Sequence, residues 1–206
     1  MRARDNPFAV QRILAVRSRL ARITWEELLD RLAAFDFRAA LVGPHGHGKT
    51  TLLEDLAPRL EDRGFRLRSA TLRTGDRRLT AAQEETLFAD LAGRDLLLVD
   101  GAEQLGRLSW LRLRRKSRAA GGLVITSHRA GLLPTFHECR TTPELLAGIV
   151  RDLLGSERGS EAEGMIPEPE ELWQRHRGNV RDALRELYDV WAARPVTAPA
   201  ARTGSP

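Results

Sequence analysis

Residues 43–50 read Gly-Pro-His-Gly-His-Gly-Lys-Thr, with glycine at the first and sixth positions followed directly by lysine and a hydroxyl. This is the spacing a backbone needs to wrap closely around phosphate oxygens, with successive N–H groups and the start of a following helix facing the anion. In such a loop Lys49 bridges the terminal phosphates of a nucleotide and the Thr50 hydroxyl ligates magnesium. The candidate nucleotide-contacting residues are therefore Gly43, Pro44, His45, Gly46, His47, Gly48, Lys49, Thr50 and Thr51. Only two of the 33 basic residues are lysine, Lys49 and Lys116. A chain that otherwise uses arginine keeps a compact ammonium at 49 for a local reason. His45 and His47 have no partner at metal-ligand spacing.

A loop of this kind works only between a strand and a helix. Residues 38–42 read as a short apolar strand, and residues 50–63 as a helix with Leu52, Leu53, Leu56 and Leu60 on one face, Pro58 inside it and Gly64 ending it. Upstream, Thr24 and Glu27 make a capping box for a helix carrying Trp25, Leu28, Leu29, Leu32 and Phe35. Downstream, residues 65–72 alternate as a strand near a sheet edge, and Thr80 with Gln83 caps a helix reaching about 91. Residues 95–100 set four apolar side chains between two aspartates, the pattern of a strand buried on both faces. A helix over 105–118, strands over 123–127 and 134–140, and a helix from Thr142 and Pro143 to about 154 follow. Residues 155–167 read as a linker, and 168–176 and 179–191 as two short helices. The alternation predicts an α/β three-layer sandwich with a mostly parallel sheet plus a small C-terminal helical lid. The expected organisation is a basic arm (1–22), a sheet domain (23–154), the linker, a lid (168–192) and a disordered tail (193–206).

The chain has 206 residues, a net charge of +5 and 42% hydrophobic residues, enough to bury a core without disulfides or a structural metal. The single cysteine, Cys139, points to a reducing, cytoplasmic setting and reads as a small buried residue near Phe136. No apolar run reaches the length of a bilayer span, and Gln11, Arg12, Arg17 and Arg19 interrupt the apolar residues near the N-terminus, so no secretory segment is expected. Arg107, Arg112, Arg114, Arg115, Lys116 and Arg118 crowd one helix. Four readings stay open for them: a nucleic-acid face, a face for an acidic partner, arginine fingers in an oligomer, or a solvated surface.

The segment GPHGHGKTT resembles the Walker A loop of P-loop NTPases, and its Gly-Pro opening is similar to that of the AAA+ and ABC groups; the likeness runs over residues 38–152. DLLLVD resembles a Walker B strand, which implies that Asp100 holds magnesium through water opposite Thr50. The resemblance also implies that residues 123–127 insert between the two motif strands, as in the additional-strand, catalytic-glutamate division. Members of that division usually place a glutamate directly after the aspartate, where this chain has Gly101. The next acid, Glu103, is either a water-polarising carboxylate or an ordinary helix-start residue. Thr126-Ser127-His128 falls where AAA+ proteins resemble one another in a polar sensor and ABC proteins in a switch histidine, with Ser127 and His128 as the candidates. Gly178-Asn179-Val180-Arg181 is similar to the sensor-2 segment of AAA+ and initiator-type ATPases, which implies that Arg181 reaches the nucleotide from the lid. Residues 79–83 lack both glycines of the ABC signature. The implied function is a cytoplasmic, magnesium-dependent ATP-binding ATPase that couples nucleotide state to the lid, a protein partner or further copies of itself. A non-hydrolysing nucleotide-dependent switch or scaffold, and a small-molecule phosphotransferase, are the alternatives.

Overall fold

The computed structural model describes residues 6–8, 23–162 and 164–193. The expected basic arm, apart from residues 6–8, and the expected tail beyond 193 lie outside the described residues. Five strands form one parallel sheet: β1 (Arg38–Val42), β2 (Arg66–Thr71), β3 (Asp95–Asp100), β4 (Gly122–Ser127) and β5 (Thr135–Glu138). Their order is β2-β3-β4-β1-β5, so β4 separates β1 from β3 as expected. The central strands β3 and β4 are unbroken apolar runs because helices cover both their faces. β2 sits at the edge, and its alternating polar residues meet solvent there.

Helices α1 (Trp25–Ala33) and α2 (Lys49–Asp62) cover one face of the sheet, burying Leu28, Leu32, Leu53 and Leu56 against Leu41 and Val124. Helices α3 (Ala81–Phe88) and α4 (Arg107–Lys116) cover the other, where Leu87, Trp110 and Leu113 meet Val99 and Ile125. Both predicted capping boxes, Thr24 with Glu27 and Thr80 with Gln83, form. α1 ends two residues before Phe35, the last residue of its expected apolar face. Asp36 and Phe37 take positive φ in the turn into β1, which leaves Phe35 39% exposed, off the helical face it was expected to share.

The largest departure is at the C-terminal side. Helix α5 (Pro143–Ala162) runs eight residues past its expected end, through the segment expected to be a linker, with a non-helical break at Gly155. Its buried residues Leu146, Val150 and Leu153 pack with Leu172 of α6 (Pro169–Arg175) and with Leu184, Leu187 and Trp191 of α7 (Val180–Ala192). Three helices, with Phe8 packed edge-on to Trp191, therefore share a core of their own. Two short helices alone bury too little apolar surface to hold together, and α5 supplies the missing face.

Candidate functional site

All five parallel strands point their C-terminal ends the same way, and the phosphate-type loop follows β1 at that edge. α2 begins at Lys49, so its unsatisfied N–H groups and positive dipole end face the loop. Above this edge lies a cavity of about 630 Å³ whose far side is formed by Ile149 of α5 and by Val180 and Arg181 at the start of α7. Of the loop residues named from sequence, His45, Gly46, Gly48, Lys49, Thr50 and Thr51 line it. Gly43, Pro44 and His47 do not; the first two act from behind, where their carbonyls accept from Lys49 Nζ at 2.7 and 2.8 Å. One of the three ammonium protons remains for the cavity.

Asp100, at the end of β3, is the centre of the floor. One carboxylate oxygen accepts from the Thr50 hydroxyl at 2.9 Å and the other from the Thr126 hydroxyl at 2.5 Å. Thr126 in turn accepts from the backbone N–H of Gly101 at 2.8 Å. The two segments that sequence spacing pairs, Thr50 and Asp100, are thus brought into direct contact across the sheet.

Gly101 has a steric reason for carrying no side chain. Its φ is +79°, and a Cβ would stand 2.6 Å from the carbonyl oxygen of Leu72, the residue that follows β2. No glutamate fits there. The short 3-10 turn Ala102–Gln104 instead brings Glu103 to the cavity wall, with Oε1 3.3 Å from His128 Nε2. Glu103 Oε2 is buried and has no hydrogen-bond partner among the described residues. His45 and His128 meet edge-on, with an interplanar angle of 62° and ring centroids 3.6 Å apart, on the same wall.

Ser127 requires a correction. Its buried hydroxyl donates to the carbonyl of Arg129 at 2.7 Å and does not line the cavity; Thr126, one residue earlier, does. Successive side chains on a strand point to opposite faces, so the neighbour of a residue beside Asp100 turns away from it. Sequence reasoning placed Thr126 in the same strand-end segment without choosing it, and missed Arg73 and Thr74, which line the cavity from the loop after β2. The available signal was positional: ligand crevices in open parallel sheets lie outside the C-terminal ends of the strands, and β2 and β4 both end there.

Burial, the largest influence, pushes Lys49 below the ordinary lysine range, against the pull of Glu103 and Asp100. Burial likewise lowers His128, and lowers His47 with help from the Lys49 charge. Lys49 is the ammonium of the site, with Arg181 and Arg73 around the cavity. Cys139 is buried behind Gly43 and its thiol is pushed up to about 12 by that burial, so it takes no part as a nucleophile. The donor set suits a hard cation and a polyphosphate: a hydroxyl and a carboxylate at 2.9 Å for magnesium, and an ammonium, helix N–H groups and arginines for anionic oxygen.

No protein-family model matches this sequence, and no curated protein does. Solved structures do. Cdc6p from Pyrobaculum aerophilum is 18% identical, with a TM-score of 0.54 over 87% of this chain and 65% of its own. The RuvB Holliday junction branch migration motor of Thermotoga maritima is 20% identical, with a TM-score of 0.50 over 79% of this chain and 60% of its own. A point mutant of the same RuvB gives 0.52 at the same identity and coverage. This chain thus spans about 60% of the length of the RuvB structures it matches. At this level of identity the likeness shows the fold alone, a parallel α/β sheet with C-terminal helices shared with the RuvB and Cdc6p structures.

Proposed function

We propose that the chain is a magnesium-dependent ATP-binding ATPase whose nucleotide state is coupled to the position of its helical lid and, through it, to a partner. The observation that carries this reading is the Thr50–Asp100–Thr126 cluster set under a loop whose lysine and helix N-terminus face one cavity. Isolated core polar residues need only one partner each, whereas this cluster gathers a hydroxyl, a carboxylate and an ammonium at one open edge. Magnesium, when bound, would supply charge neutralisation for the phosphates of the nucleotide. Thr50 and Asp100 would hold it, Lys49 would bind the terminal phosphate oxygens, and Arg181 would reach them from the lid. The apolar end of the cavity at Ile149 and Val180 suits the flat base.

Glu103 is the base in this reading. Its unpartnered Oε2 is available to accept a proton from an attacking water, and the contact to His128 orients the carboxylate. The same contact supports the second reading, a non-hydrolysing switch, in which His128 keeps Glu103 occupied. Single-turnover phosphate release separates the two. Glu103→Gln should retain ATP binding and slow release by about 10²-fold or more, the scale of losing a general base. Equal rates for wild type and variant would assign the base elsewhere, and no release from wild type would favour the switch.

A further inference from the structure

The phosphate-type loop and the lid meet in a joint built from three segments. His47 Nδ1 accepts from the backbone N–H of Thr141 at 3.3 Å and lies 3.2 Å from the Thr141 hydroxyl oxygen. That hydroxyl has a single proton, which it donates to the carbonyl of Gly178 at 2.6 Å, so Thr141 contributes its backbone proton to the loop and its side-chain proton to the lid. Thr141 is 5% exposed, and water does not readily replace either bond.

The joint has no slack. Gly178, with φ +79°, forms the turn between α6 and α7; a Cβ there would stand 3.0 Å from Thr141 Oγ1 and 3.1 Å from His47 Cε1. One residue earlier in the loop, Gly46 abuts Asn179 so closely that a Cβ would lie 1.8 Å from its Oδ1. Asn179 caps α7, accepting from the N–H of Asp182 at 3.2 Å, and Arg181 is two residues on. Arg181 is close enough to Lys49 to oppose its charge. A continuous set of contacts therefore runs from residues 46 and 47 of the loop, through Thr141 and the 178–179 turn, to the arginine over the cavity.

We propose that His47 and Thr141 are positioning residues that hold the lid turn against the phosphate loop, fixing Arg181 over the cavity and passing any displacement of the loop to the lid. The second half of this proposal rests on the nucleotide-binding reading; the first half does not. The loop cannot shift at 46–47 without moving the 178–179 turn, because the gaps between them are already at contact distance.

Hydrogen exchange on the full chain tests the joint without nucleotide. Thr141→Val keeps the shape and removes the hydroxyl, and should speed exchange of the amides of residues 177–182 by about tenfold, the scale of one buried hydrogen bond. Thr141→Ser, which keeps the hydroxyl, should stay within about twofold of wild type. His47→Ala breaks the same joint from the loop side and should speed the same amides, which keeps the proposal open to refutation if the valine variant does not fold. Unchanged exchange in the variants that break the joint would overturn it. With ATP and ADP as probes, wild type should bind ATP more tightly because Arg181 faces the terminal phosphate; Arg181→Ala and Thr141→Val should each narrow that difference, and the double variant should be no worse than Arg181→Ala alone. Additive losses, or no effect of Arg181→Ala, would overturn the claim that the joint acts through Arg181. Absence of ATP binding by wild type would instead refute the proposed function, and the exchange comparison would still decide the joint.

Discussion

At the scale of single residues, the site is organised by hydrogen-bond capacity. Asp100 divides its two carboxylate oxygens between hydroxyls from α2 and β4, and Thr126 uses both its proton and a lone pair, on Asp100 and on Gly101 N–H. Thr126→Val preserves volume but strands a half-buried acceptor on Asp100 and a half-buried donor at Gly101, so it should lower the unfolding free energy by about 1 kcal/mol. It should also weaken the magnesium dependence of nucleotide binding, because Asp100 loses the partner that orients it. Denaturant unfolding and a magnesium titration check the two effects; wild-type values in both would mean that Thr126 is incidental. Lys49 and Thr50 were legible from the glycine spacing of the loop, and Asp100 from its place at the end of a buried apolar run. Thr126 was not, because choosing it over Ser127 depends on which face of β4 looks toward Asp100, and an apolar strand buried on both faces gives no alternation to read.

At the scale of elements, the edge strand β2 is tied to β3 by charge. Arg66 and Asp95 are register partners across the two strands, and the fully buried Asp95 carboxylate also takes hydrogen bonds from Arg68 and from Ala92 N–H. The Arg66 hydrogen bond is the main cause holding the Asp95 carboxyl well below the usual carboxylate range. A folded-state value below the unfolded one, about 3.9, means that the stabilisation is fully present above that pH and is lost as pH falls toward the folded value. Asp95→Asn should therefore lower the Tm near neutrality by roughly 5 °C. The gap from wild type should close as pH drops below about 4. A pH-independent gap would show that the aspartate matters by shape and not by charge.

The basic helix α4 divides in the same way. Arg112 and Lys116 each lie 3.0 Å from Glu84 of α3 and so serve the packing of two helices. Arg107, Arg114, Arg115 and Arg118 remain exposed beside the exposed Leu108 and Leu111. If this face meets nucleic acid, Arg114→Glu with Arg115→Glu should abolish a binding that falls steeply with salt, and should leave ATP affinity alone. Salt-insensitive binding, or none to DNA or RNA, would leave only the protein-partner and solvated-face readings. Sequence counts the charges on α4 but cannot show that α3 brings an acid to two of them.

At the scale of the whole molecule, a parallel sheet presents its loops at one edge and a three-helix unit closes over it. The alternation of strands and helices made a mostly parallel sheet legible, and the family resemblance implied the insertion of β4 between β1 and β3; the rest of the strand order was not read from sequence. The extent of the lid was not: α5 reads as an ordinary amphipathic helix, and nothing local tells whether its apolar stripe faces the sheet or the C-terminal helices. No helix among the described residues is long and apolar enough to cross a membrane. The site thus depends on two units that meet across a cavity, with Lys49 on one and Arg181 on the other.

The most direct test is equilibrium titration of a fluorescent ATP analogue with magnesium against wild type and Lys49→Ala. Lys49 supplies a charged donor at the loop, and backbone N–H groups alone do not neutralise a triphosphate, so the variant should bind about 10- to 100-fold more weakly, the scale of charged hydrogen bonds. Equal affinity of the two proteins, or no binding by wild type, would contradict the assignment of this edge as a nucleotide site.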